Sequence, residues 1–106
     1  MYNMSVMDIF VALADPVRRG MLEALVERPR PVKELVDMFT ISQPAVSRHL
    51  RVLRQAGVVK SFQQRGDARL RLYRLRPQSL VEIQQWLQLF WQSKLDAFAS
   101  HAEERA

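Results

Sequence analysis

The sequence predicts a mainly α-helical chain with one small β-hairpin, in the order α-α-α-α-β-β-α. Three observations carry this reading. From Met4 to Gly57, apolar residues recur at helical spacing, broken at Asp15-Pro16, at Arg28–Pro31 and around Thr40–Ser42. From Val58 to Arg76 the pattern changes to alternation around Gln64-Arg65-Gly66-Asp67. After Pro77 helical spacing returns and runs to about Ala102. The length of 106 residues fits one domain.

The first helix, about residues 4–14, carries Val6, Met7, Ile9, Phe10 and Leu13, and is apolar on too many sides for a free surface helix. Asp15 and Pro16 supply an N-cap and a first-turn proline, so a second helix starts there. Its inner face is expected to be Met21, Leu22, Leu25 and Val26, and Arg28-Pro29-Arg30-Pro31 ends it. Arg18 and Arg19 fall in its first turn and oppose the positive end of the helix dipole. A carboxylate partner for at least one of them is expected, with a DNA phosphate as the alternative. Val32–Phe39 reads as a short third helix, with Leu35, Val36 and Met38 or Phe39 inward.

A fourth helix follows after a turn of three or four residues. Ser42 can cap it, because its hydroxyl can accept from a free N–H of the first turn. Pro44 falls where a missing N–H costs little. Val46, Leu50 and Leu53 make one buried stripe, and Gly57 stops the helix. Two helices joined by so short a turn form a helix-turn-helix, with the second as reader. Its other side holds Gln43, Ser47, Arg48, Arg51 and Arg54. Arg can pair with guanine and Gln with adenine, while Ser permits close approach. Ser47 and His49 are two residues apart and point to different sides of the helix, so they form no catalytic dyad.

Val58–Phe62 and Arg69–Arg76 read as the strands of the hairpin, and Pro77 closes it. Alternation slips at Leu72-Tyr73, which calls for a bulge or one partly exposed leucine. Tyr73 and Leu75 are expected to face the core. Lys60, Arg65, Arg69 and Arg71 are placed on the tip and edge. A basic hairpin after a reader helix is the plan of a winged helix, whose wing reaches the minor groove or flanking phosphates. In the last helix, about residues 78–102, Leu80, Ile83, Leu87, Phe90 and Leu95 follow one stripe. Trp86, Leu89, Trp91 and Phe98 widen it beyond one core face. Both terminal helices thus suit a two-fold dimer interface, with Phe10, Leu13, Trp86, Phe90, Trp91 and Phe98 as its candidates.

The net charge is +5, and it is unevenly placed. Residues 42–77 hold nine Lys/Arg and one Asp, so this third of the chain carries +8 while the rest is net negative. Such a surface attracts a polyanion. The chain has no cysteine, which excludes disulfides and thiolate metal or redox sites. No apolar run is long enough to span a bilayer, and Met1–Phe10 lacks a signal-peptide pattern. A cytoplasmic protein is the expectation. No nucleophile–base pair or metal set points to an enzyme.

The stretches L-A-D-P-V-R-R-G-M-L-E-A-L (13–25), E-L (34–35), I-S-Q-P-A-V-S-R-H-L-R-V-L-R-Q-A-G-V-V (41–59) and R-L-Y-R-L (71–75) resemble the ArsR/SmtB family of bacterial transcriptional repressors. The likeness covers about Met7 to Pro77. S-Q-P-A-V-S alone is a weak signal, shared with LysR-type regulators. The D-P-x-R-R segment and basic hairpin make it specific, and the chain has no room for a LysR effector domain. The resemblance implies a homodimeric winged helix that pairs through its first and last helices and blocks transcription at an operator. It implies base contacts from Gln43, Pro44, Ser47 and Arg48; the basic face and hairpin place Ser42, Arg51, Lys60, Arg65 and Arg69 on backbone or wing contacts. His49 fits a packed or phosphate-contacting role.

Metal sensing does not follow from the resemblance. Family sensors often place cysteines after Glu-Leu in the third helix, which here reads E-L-V-D-M-F. Others place D-x-H…H-x-x-E/H in the last helix. His101 and Glu104 keep the second half of that pattern, but Gln88 and Phe90 stand where the first half needs Asp and His. The expected partners are therefore double-stranded DNA and a second copy, with no metal, no cofactor and no membrane. No residue pattern names an effector. A nonspecific architectural DNA binder and a protein-interaction module are the alternatives.

Overall fold

A computed structural model describes residues 4–105, with side chains for 6–67 and 69–101. Its elements are α1 (Met4–Ala12), α2 (Pro16–Glu27), β1 (Arg30–Pro31), α3 (Val32–Phe39), α4 (Gln43–Gln55), β2 (Val59–Gln64), β3 (Asp67–Leu75) and α5 (Pro77–Phe90). A π-helical segment, Trp91–Leu95, carries α5 on into α6 (Asp96–Arg105). The four helices and hairpin stand in the expected order, and the fold is a winged helix. The addition is β1. Arg30 pairs with Tyr73 and Pro31 with Leu72, so the sheet has three antiparallel strands in the order β1-β3-β2. The Arg28–Pro31 stretch is therefore a sheet edge as well as a helix stop, and a proline is tolerated there.

The core is centred on Ile9 and Ala12 of α1, Met21, Leu22, Ala24 and Leu25 of α2, Leu35, the α4 stripe Val46, Leu50 and Leu53, and Val58 and Val59. Val26 is 60% exposed, against expectation, and Ala24 takes the inner position. In α3 it is Phe39 that turns inward, while Met38 is exposed. Gly20 explains that choice: a Cβ there would stand 2.7 Å from the Phe39 ring, so α3 can seat its phenylalanine only against a bare helix surface. Gly57 ends α4 in the left-handed region, φ 78°, and the Val58 N–H then bonds to the Leu53 carbonyl.

The Leu72-Tyr73 slip resolves without a bulge between them. Val59 faces Leu75 and Ser61 faces Tyr73, so these four share one side, and Tyr73 and Leu75 pack on the core. Leu72 lies opposite Phe62 on the outer side and is half-buried. The irregularity sits at Gln63/Gln64, beside the turn.

Among the described residues Arg30 is the one buried cation, 7% exposed. Its Nε–H donates to the Ala24 carbonyl at 2.9 Å near the end of α2. Its other nitrogens bond Glu27 and Glu34, at 3.0 and 2.7 Å. Arg28 also pairs with Glu34. One cluster thus joins the end of α2, β1 and the start of α3. The Arg28 hydrogen bond holds the Glu34 carboxyl below its ordinary 4.5; desolvation opposes this and Arg30 adds to it.

At its far end the chain leaves the core. Leu80 and Ile83 pack against it, but Leu87 and Phe90 are exposed. The Cα radius of gyration is 18.0 Å, against about 13 Å for a compact domain of this length, and the longest axis is 63 Å. Among the described residues, no helix is long and apolar enough to cross a membrane.

Two outcomes test this packing. A carboxyl with a lowered folded value stabilises above its unfolded value, and that contribution is lost as pH falls through the folded one. Urea denaturation should therefore show stability dropping below about pH 4.5, less steeply in Glu34→Gln. An equally steep drop in the variant would deny Glu34 that role. Gly57→Ala meets no clash, its Cβ lying 3.6 Å from the Arg76 guanidinium, but it takes a positive φ and should cost about 1 kcal/mol in the same assay.

Candidate nucleic-acid interface

The interface is built on α4. Thr40 takes the left-handed conformation, φ 51°, and its N–H bonds to the Val36 carbonyl at 3.0 Å, ending α3. Two residues later Ser42 starts α4, its hydroxyl accepting from the Ala45 N–H at 3.3 Å. The turn is tight because both helices are capped within it. Val46, Leu50 and Leu53 are at most 1% exposed. Gln43, Pro44, Ser47, Arg48, Arg51 and Arg54 are all exposed on the remaining surface of α4.

Among the described residues no ion pair neutralises the charge of the 42–77 block. Among the described residues the ion pairs are those of Arg28 and Arg30, both outside the block. Within it, Arg71 donates to the Ser61 hydroxyl at 2.9 Å, and the Arg74 guanidinium lies 5.8 Å over the Phe62 ring. Neither contact removes charge. The hairpin tip carries exposed Arg65, and Arg69 follows directly, its N–H held by the Asp67 carboxylate at 3.0 Å. Lys60 does not join them at the tip. It lies opposite Arg74, one pair from the base of the hairpin, because the strand register runs back from Gln64–Asp67.

The expected carboxylate partner of Arg18 or Arg19 is absent among the described residues. Both reach the end of α1 instead. Arg18 Nε donates to the Ala12 carbonyl at 2.5 Å, with Nη2 at 3.4 Å from the Val11 carbonyl. Arg19 donates to the carbonyls of Leu13 and Ala14 at 2.8 and 3.2 Å. The end of a helix carries the negative end of its dipole, so the two guanidinium groups suit the carbonyls at and just beyond the end of α1. Asp15 caps α2, accepting from Val17 N–H at 2.8 Å and Arg18 N–H at 3.1 Å. The Arg18 N–H is the main cause that holds its carboxyl below 3.8. Sequence reasoning did not find the bond of Arg18 to His49, Nη1 to Nδ1 at 3.3 Å. His49 is half-buried and packed, one of the two roles expected for it.

At the other end of the molecule an aromatic series joins α1 to α5. Phe10 meets Trp86 edge-on at 5.4 Å, Trp86 stacks on Phe90 at 5.4 Å, and Phe90 meets Trp91 at 6.2 Å. Their outer surface stays bare: Trp86 is 39%, Phe90 40%, Trp91 55% and Phe98 70% exposed. Leu13 is half-buried and packs on its own core. No three His, Cys, Asp or Glu side chains among the described residues converge as a metal set. His101 is exposed, and the side chain of Glu104 lies outside those described.

Residues 15–61 match the family model described as bacterial regulatory protein, arsR family. The chain is 39% identical over 88 residues to the HTH-type transcriptional regulator Rv2034 of Mycobacterium tuberculosis, covering 83% of this chain and 79% of that protein. It is 42% identical over 76 residues to the HTH-type transcriptional repressor SmtB of the same species, and there it spans 54% of the repressor's length. A solved ArsR family transcriptional regulator superposes with TM-score 0.75 at 30% identity, over 89% of this chain and 97% of that one. An ArsR-like regulator from Rhodococcus sp. RHA1 reaches 0.80 over 96% and 92%, and at 22% identity it speaks for the fold.

The cap at the head of α4 is open to a direct check. Ser42→Ala should cost about 1 kcal/mol of stability in urea denaturation. A change near zero would mean that water replaces the hydroxyl at this exposed turn.

Proposed function

Because this chain belongs to the arsR family of bacterial regulatory proteins, and is therefore a DNA-binding transcriptional regulator and not an enzyme, we propose that it acts in the cytoplasm as a homodimeric repressor of a palindromic operator. The observation that carries this reading is the two-sided character of α4. One stripe is wholly buried, and Gln43, Pro44, Ser47 and Arg48 stand exposed together at its start. Those four read base edges in the major groove. Ser42 and Arg51 contact backbone beside them, and Arg65 and Arg69 bring the wing to flanking phosphates. Lys60, farther back on the hairpin, contributes attraction at longer range.

The second copy is supported by the bare aromatic face. α5 leaves its core after Ile83 while its apolar pattern continues, so Trp86, Phe90, Trp91 and Phe98 want cover that one chain does not supply. Phe10 joins that face through Trp86. A pair built there presents two copies of α4 to half-sites roughly 34 Å apart. Repression rather than activation is the reading favoured by the name of the SmtB relative.

Binding assays on wild type and variants test the assignment. Arg48→Ala should lose about 1–3 kcal/mol of discrimination against random DNA, while Arg65→Ala weakens all duplexes alike and flattens the salt slope by about one. A wild-type preference no greater than that of random DNA would favour an architectural binder. No binding at low salt would favour a protein-interaction module. Sedimentation should give about twice the 12.4 kDa chain mass at micromolar concentration, and a clean monomer would overturn the pairing.

A further inference from the structure

We propose that Arg18 is a positioning residue for the reading helix, and that it acts by donating to Nδ1 of His49. This rests on the reading of α4 as the DNA-contacting element and adds what fixes that helix in place. Arg18 is rooted in the first turn of α2, where Asp15 holds its backbone N–H. Its side chain crosses to α1, where Nε bonds the Ala12 carbonyl at 2.5 Å. Its Nη1 then lies 3.3 Å from His49 Nδ1 on α4. One rigid, planar group therefore spans three helices.

The chemistry of that contact is one-directional. A guanidinium has only donors, so Nδ1 must be the acceptor and the ring proton must sit on Nε2. Arg18 thus selects the tautomer of His49 as well as its orientation. His49 lies on the side of α4 that faces α1, in line with Val52 and Ala56, which border a cleft with Asp8 and Val11. Its neighbours in sequence, Ser47 and Arg48, are two of the residues proposed to read bases. A turn of α4 about its own axis would break the 3.3 Å contact and carry Ser47 and Arg48 with it. The buried stripe resists such a turn only through nondirectional packing. The bond to His49 adds direction, and it refers the helix to α1, which the proposed dimer uses. Subunit pairing and DNA reading then share one guanidinium, and any coupling between them is reciprocal.

Four variants of the chain test this: Arg18→Met, Arg18→Lys, His49→Leu and His49→Asn. Asparagine places its Oδ1 where the ring has Nδ1, so it keeps an acceptor, whereas leucine keeps bulk and loses it. The probes are a duplex selected by the wild type from a random library and a random duplex. Arg18→Met and His49→Leu should bind the selected duplex roughly tenfold more weakly, with little change on the random one, at unchanged circular dichroism. His49→Asn should stay within about twofold of wild type, and Arg18→Lys should fall between. Nitrogen-15 shifts of the His49 ring should show the Nε2–H form in free wild type, and a loss of that preference in Arg18→Met. Wild-type affinity in His49→Leu, or an Nδ1–H ring in the wild-type chain, would overturn the proposal. The ring measurement holds even if a variant fails to fold. A wild type that binds no duplex would strike the reading of α4 instead, and the tautomer would still decide the Arg18 contact.

Discussion

Val46, Leu50 and Leu53 take one side of α4 out of water, and the rest of the molecule is arranged around that fact. A stripe so narrow decides which side of the helix turns inward. Once α2, α3 and the base of the sheet have closed over it, Gln43, Ser47 and Arg48 have nowhere to go but outward. The core thereby decides which residues meet a ligand without touching one. The caps at Ser42 and Gly57 fix where the helix starts and stops along its axis. Orientation and register together are what a major-groove reader needs, because base-edge hydrogen bonds depend on both distance and direction.

The arginines divide by what they find in the fold. Arg28 and Arg30 find carboxylates, and Arg30 is buried in doing so. Arg18 finds carbonyls at the end of α1, and Arg19 those of the two residues that follow it. Among the described residues, those of 48–76 find neither, apart from a hydroxyl and an aromatic face. The first two groups hold helices together, and the third is left as field. That division makes the +8 of the 42–77 block a property of the surface, available to phosphates, and explains why the acidic residues elsewhere do not cancel it.

Much of this was legible in the sequence, and the exceptions share a cause. The α4 stripe, its caps, the Asp15-Pro16 start and the hairpin all announce themselves through spacing or residue type, and each stands where expected. What stayed hidden depends on partners far along the chain. A two-residue strand such as Arg30–Pro31 is too short to show alternation, and it exists only because β3 passes beside it. The partners of Arg18 and Arg19 are backbone carbonyls, which every residue has and no side-chain pattern marks. Val26 looked inward by helical spacing, but α2 turns Ala24 to the core instead. Lys60 could be placed only on the tip or edge of the hairpin, and the register sets it on the edge strand near the base, opposite Arg74. The site follows the same rule: residues carried by one helix were readable, while the Arg18–His49 contact, made across 31 positions, was not.

The central claim is that two copies of α4 read bases from a paired, two-fold surface. Selecting bound duplexes from a random library with the wild-type chain tests it most directly. The account predicts an enriched inverted repeat whose half-site centres lie about one helical turn, or a multiple of it, apart. Enrichment of a single unrepeated site would contradict the pairing, and no enriched sequence at all would contradict the reading by α4.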